Sequence, residues 1–173
     1  MTPSDVIVIV LGYALGSVPV GYLLVRLRTG QDLRRAGSGS TGATNVARLL
    51  GRPGFAAVFL LDLGKGWLAV TLAGALTDHA WAVSGAGVAV IAGHLWPVWL
   101  RFQGGKGLAT GYGACLALSP VIGVVALMAL VGLLPVLRPS MLALAVVLVA
   151  IPVGALVDDP SAAPGLLLMA SLV

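Results

Sequence analysis

Apolar residues run along this chain in long blocks, interrupted by glycine, proline or short charged segments. The blocks fall at 5–25, 54–77, 80–100, 108–119, 120–137, 139–157 and 162–173. A helix rises about 1.5 Å per residue, so the longer blocks match a hydrocarbon slab of about 30 Å. The pattern predicts an all-α integral membrane protein, a polytopic bundle of about seven transmembrane helices. The blocks at 108–119 and at the C-terminus are short for a full crossing, so the expected count runs from about five to seven. Residues 1–173 are expected to form one domain.

Composition rules out the soluble alternative. Only 9% of the 173 residues are charged and 59% are hydrophobic, whereas a soluble domain carries roughly 25% charged residues to build its surface. The start, Met-Thr-Pro-Ser-Asp, lacks the positive segment of a secretory signal, so the first block is expected to be a retained span. One Cys (Cys115) and two His (His79, His94) cannot supply four metal ligands or an intramolecular disulfide, so no metal or other cofactor is expected.

Ten Lys and Arg against six Asp give a net charge of +4, and their placement sets the topology. With the N-terminus outside, Arg26, Arg28, Arg34, Arg35, Arg48 and Arg52 fall in the first cytoplasmic connection, Arg101 and Lys106 in the next, and Arg138 in the last. That is the positive-inside arrangement. The basic residues sort by membrane side, which accounts for them without nucleic acid. Gly12 with Gly16, and Gly107 with Gly111, have the small-xxx-small spacing that permits close helix contact.

Two glycine-rich connections carry candidate chemistry. The first contains Gly37, Ser38, Gly39, Ser40, Thr41, Gly42, Ala43, Thr44 and Asn45, then Arg48. It satisfies G-x-G-x-x-G, but no buried strand precedes it, as a dinucleotide fold requires. Glycines still let backbone N–H groups converge on an anion, hydroxyls add donors, and a helix beginning at Ala43 would direct its N-terminus at the same point. The second contains Gly104, Gly105, Lys106 and Gly107. A P-loop is excluded because Gly107 follows Lys106 where Ser or Thr belongs, yet the segment suits a phosphate at the cytoplasmic surface. Inside the second block Asp62 and Lys65 share one helical face, and ionisable groups at that depth face a cavity or one another. His94 sits in the cytoplasmic half of the third block, with Asp62 as the one intramembrane acid able to complete a dyad. His79, beside Asp78, reads as interfacial.

These segments together resemble the acyl-phosphate:glycerol-3-phosphate acyltransferase family of bacterial inner membranes, the PlsY family. The matching residues are Gly37-Ser38-Gly39, Gly42-Ala43-Thr44-Asn45 and Arg48; Leu61-Asp62 and Lys65-Gly66; Gly93-His94, Pro97, Phe102, Gly104-Gly105-Lys106-Gly107 and Ala109-Thr110. Ser40 stands where the family usually has Asn, and the C-terminal third, with Arg138-Pro139-Ser140, is atypical. The resemblance implies seven spans, an external N-terminus and a multi-pass protein of the inner membrane with its site facing the cytoplasm. It also implies transfer of a fatty acyl group from acyl phosphate to glycerol 3-phosphate, giving lysophosphatidate for phospholipid synthesis. Ser38, Arg48 and Lys106 would then hold glycerol 3-phosphate, with donors from Gly39, Gly42, Thr44 and Asn45. Lys65, Gly104, Gly105 and Gly107 would hold the acyl phosphate, whose tail lies between spans or in membrane lipid. His94 or a substrate phosphate oxygen would take the proton, with Ser38 and Lys106 beside the reacting atoms and Asp62 in support. The alternatives are a homologue that binds lipid precursors without transferring the acyl group, and a small anion transporter. The latter should show inverted repeats, and residues 112–173 carry no second copy of the glycine-rich motifs.

Overall fold

The computed structural model describes residues 1–121 together with 123, 124 and 128. Its helices are α1 (Pro3–Gly16), α2 (Val20–Thr29), α3 (Ala43–Leu76), α4 (Ala80–Leu95) and α5 (Leu108–Leu118), with 3₁₀ turns at Leu33–Arg35 and Val98–Leu100. Among the described residues, Pro3–Thr29, Ala43–Leu76 and Ala80–Leu100 are long and apolar enough to cross a membrane. The expected spans at 120–137, 139–157 and 162–173 lie almost entirely outside the described residues.

The first expected span is not continuous. Proline has no N–H and disfavours helix in the residue before it, so Pro19 breaks the chain over residues 17–19, between α1 and α2. The carbonyl of Val18 is released and turns into the bundle. The second span begins earlier than expected, at Ala43, and Gly51 (φ +66°, ψ −163°) interrupts it. Pro53 follows at the restart, a position where its missing N–H does no harm. α5 has 11 residues, about 16 Å of helix, too short to cross alone.

Backbones meet where side chains are absent. α1 packs on α4 through Gly12 against Ala86 and Gly16 against Val90, where a Cβ on either glycine would strike a carbonyl oxygen. α3 packs on α5 through Gly66 against the Thr110 carbonyl and Gly113 against that of Leu63. Gly107 has another use: it adopts a left-handed conformation (φ +77°) as the N-cap of α5.

The two ends of the bundle differ. At one, the buried Asp5 carboxylate accepts from Thr77 Oγ1 at 2.8 Å and lies 2.9 Å from His79 Nδ1, tying the start of α1 to the turn between α3 and α4. His79, expected to be interfacial, is thus a partner of Asp5. The other end gathers every described Lys and Arg except Lys65, on the segments that end α2, open α3 and join α4 to α5. Side chains are distributed inversely to a soluble fold: Ile7, Val10, Leu60 and Leu61 are exposed while Asp62, Lys65, His94 and Thr110 are buried. Hydrocarbon is the medium that such an exterior suits.

Candidate active site

Asp62 and Lys65 lie one turn apart on α3, and Lys65 Nζ sits 2.8 Å from Asp62 Oδ1. The same ammonium donates to the Val18 carbonyl at 3.1 Å, the group freed by Pro19. Two of its three donors are therefore engaged within the protein. Pairing is what allows burial: removing one partner of a buried ion pair costs about 3–5 kcal/mol.

His94, in the last turn of α4, completes the cluster. Its Nδ1 is 3.2 Å from Thr110 Oγ1 and 3.5 Å from Asp62 Oδ1. Thr110 reaches it because Gly66 lets α5 close on α3. A proton on Nδ1, facing carboxylate and hydroxyl, leaves the lone pair on Nε2. Nε2 is turned toward the second glycine-rich loop, against Gly105, where an added methyl group would land on it. The loop is folded back over the end of α4 by bonds from Gly105 N to the His94 carbonyl (3.1 Å) and Gly104 N to that of Leu95 (3.0 Å).

The first loop is shaped by one buried amide. Asn45 Nδ2 donates to the carbonyls of Leu33, Ala36 and Ser40, while Oδ1 accepts from Ser38 N and Arg48 Nη1. Expected among the substrate ligands, Asn45 is instead fully occupied in holding the loop, which turns through left-handed Gly37 and Gly39. The Arg48 guanidinium lies over Gly37, in space that a side chain there would fill. Ser38, Thr44, Arg48 and Lys106 are exposed. Among the described residues no hydrogen bond or ion pair joins Ser38, Arg48 or Lys106 to the cluster of Asp62, Lys65 and His94. Gly42 caps α3, placing its first N–H groups beside Thr44. The two loops meet through Thr41 N to Gly104 O at 3.4 Å.

The structure thus joins Asp62, Lys65 and His94 directly and brings the loops together above them. Sequence reasoning gave Thr110 and the Val18 carbonyl no role. Pro19 was the available signal for the second; the first depends on a helix approach that no local pattern reveals. Outside the spans, hydrogen bonds from Arg34 hold the Asp32 carboxyl down to about 2, against its partial burial.

The chain matches a family model described as glycerol-3-phosphate acyltransferase over residues 6–173. A glycerol-3-phosphate acyltransferase of Synechococcus sp. (strain CC9902) is 45% identical over 163 residues, covering 94% of this chain and 82% of that protein. One from Parasynechococcus marenigrum (strain WH8102) is 42% identical over 160 residues, covering 92% and 76%. The crystal structure of PlsY (YgiH), an integral membrane glycerol 3-phosphate acyltransferase, in its glycerol 3-phosphate form superposes with a TM-score of 0.89 at 31% identity, over 98% of this chain and 86% of that one. The lysophosphatidic acid form gives 0.86 at 28% identity, over 98% and 85%.

Proposed function

Because the chain belongs to the glycerol-3-phosphate acyltransferase family, we propose that its buried cluster and paired loops transfer an acyl group from an acyl phosphate to glycerol 3-phosphate. Membership makes acyl transfer to glycerol 3-phosphate its activity; the donor and the residue roles are our reading. Each substrate brings a charge of about −2 at neutral pH, which a low-dielectric site admits only with compensation. Ser38, Arg48 and Lys106 hold the glycerol 3-phosphate headgroup, aided by the N–H of Thr44 in the first turn of α3; the N–H groups of Gly39 and Gly42, expected among the donors, go instead to the Ala36 carbonyl (3.0 Å) and Ser40 Oγ (3.3 Å), so those glycines shape the turn. Asn45 keeps that loop in shape. Gly104 and Gly105, whose N–H groups are given to the Leu95 and His94 carbonyls, leave room beside His94 for the acyl phosphate, which the N–H of Gly107 and the remaining N–H of Lys65 receive, with its tail extending into lipid.

The glycerol hydroxyl attacks the acyl carbon, a C–O bond forms, and the bond to the phosphate oxygen breaks with its electron pair leaving on inorganic phosphate. His94 Nε2 takes the hydroxyl proton and returns it to the departing phosphate. Asp62 and Thr110 hold the other end of the ring and stabilise the imidazolium. Lys106 and backbone N–H groups stabilise the oxyanion, commonly the largest single contribution in acyl transfer. The observation that carries this reading is the clamping of His94 between Asp62 and Thr110 on one side and Gly105 on the other. Positive-inside placement supports a site facing the cytoplasm of the bacterial inner membrane, with the N-terminus outside. The apolar stretches that follow in the sequence would complete a bundle of seven crossings.

The test is purified protein in liposomes with glycerol 3-phosphate and palmitoyl phosphate, run beside palmitoyl-CoA. Lysophosphatidate and inorganic phosphate in equal amounts are expected from the acyl phosphate; product from the CoA ester alone overturns the donor assignment.

A further inference from the structure

A second polar feature lies at the same end of the bundle. Residues of the α1–α2 break and of α2, the 3₁₀ turn at Leu33–Arg35 and the turn at Val98–Leu100, with Arg101 after it, line an open cavity of about 680 Å³. That is within the range of sites for ligands of drug size, about 300–1,000 Å³. Its wall has two chemistries. Arg34 and Arg101 supply guanidiniums, and the rest is apolar or aromatic, with Val18, Leu23, Tyr22 and Trp99 among it. Arg34 is fixed in place: it pairs with Asp32 at 2.7 Å, lies 5.4 Å from the centre of the Tyr22 ring and reaches the Leu100 carbonyl at 3.5 Å. Arg101 forms no ion pair among the described residues, so its charge is uncompensated. It also adopts φ +53°, and Phe102 beside it φ +64°. Consecutive non-glycine residues in the left-handed region store strain of the kind that collects at functional sites.

The apolar wall continues outward. Val18, Leu23, Trp99 and Phe102 are exposed, Trp99 by 70%, where an aromatic side chain marks the boundary of membrane and water. A soluble anion would need the arginines but not this wall; an uncharged chain would need the wall but not the arginines. We propose that the cavity is a binding site for an anionic phospholipid of the surrounding bilayer, its phosphate held by Arg101 and Arg34 and its chains lying along Val18, Leu23 and Trp99. Arg34 lies three residues before Gly37 and Arg101 three before Gly104, so one bound headgroup braces the lead-in segments of both loops.

The test uses fluorescence and does not depend on the transfer reaction. Wild-type protein goes into phosphatidylcholine vesicles doped with brominated phosphatidylglycerol or, at equal mole fraction, brominated phosphatidylcholine. Bromine quenches a nearby indole, and Trp99→Phe identifies the share due to Trp99. Expected is at least twofold stronger quenching of Trp99 by the anionic lipid, lost in Arg101→Gln and largely kept in Arg101→Lys, both exposed and outside any packed core. Arg34→Lys, which keeps the pair with Asp32, should also keep it. Equal quenching by the two lipids, or an excess that survives in Arg101→Gln, overturns the proposal. So does an excess abolished by millimolar inorganic phosphate, since the cavity would then take the free anion without a chain.

Discussion

At the scale of single residues, the contact between His94 Nε2 and Gly105 links a ring to a loop in a way kinetics can read. General-base catalysis contributes about 10²–10⁴-fold, so His94→Gln should lower kcat by at least about 100-fold. Gly105→Ala places a methyl group on the same nitrogen and should produce a loss of similar size. Residues acting as one unit are strongly non-additive; the double variant should therefore be no slower than His94→Gln alone. Multiplying losses in steady-state assays would assign Gly105 a separate role. Asp62, Lys65, His94 and both glycine-rich segments were legible because ionisable residues in apolar blocks and clustered glycines stand out locally. The engagement of Asn45 was not, since its three carbonyl partners converge only after the chain has turned through Gly37 and Gly39.

At the scale of elements, composition and hydropathy located the long helices among the described residues, while their ends were set by features a hydropathy block averages away. Pro19 divides one expected span, and Gly51 interrupts α3 just before the expected block at 54–77. The seam between α3 and α5 was equally invisible, because Gly66 and Gly113 acquire meaning only when opposed to the Thr110 and Leu63 carbonyls. Overpacking a close seam costs typically 1–3 kcal/mol. Gly66→Ala should therefore lower the thermal stability of the protein in detergent and also kcat, as α5 moves away and carries Thr110 from His94. Gly64→Ala is the matched control, since a Cβ there meets no neighbour; equal effects of the two substitutions would remove the seam from the explanation.

At the scale of the whole molecule, the sidedness of charge was readable before any fold, because it belongs to the order of residues along the chain. It makes a topological prediction. Cys115 is buried, so cysteines placed elsewhere report over a low background. In intact cells a membrane-impermeant maleimide should label Ser4→Cys and leave Gln31→Cys unlabelled until the membrane is opened; the reverse pattern would invert the assigned orientation. The bundle is also secured unequally at its two ends. The Asp5 carboxylate staples three helical segments at one, with bonds of 2.8 and 2.9 Å, whereas one backbone bond of 3.4 Å links the glycine-rich loops at the other. On the proposed reading these loops are the jaws of a clothes-peg: parting them breaks that one backbone bond, and a headgroup would enter or depart without the helices having to separate.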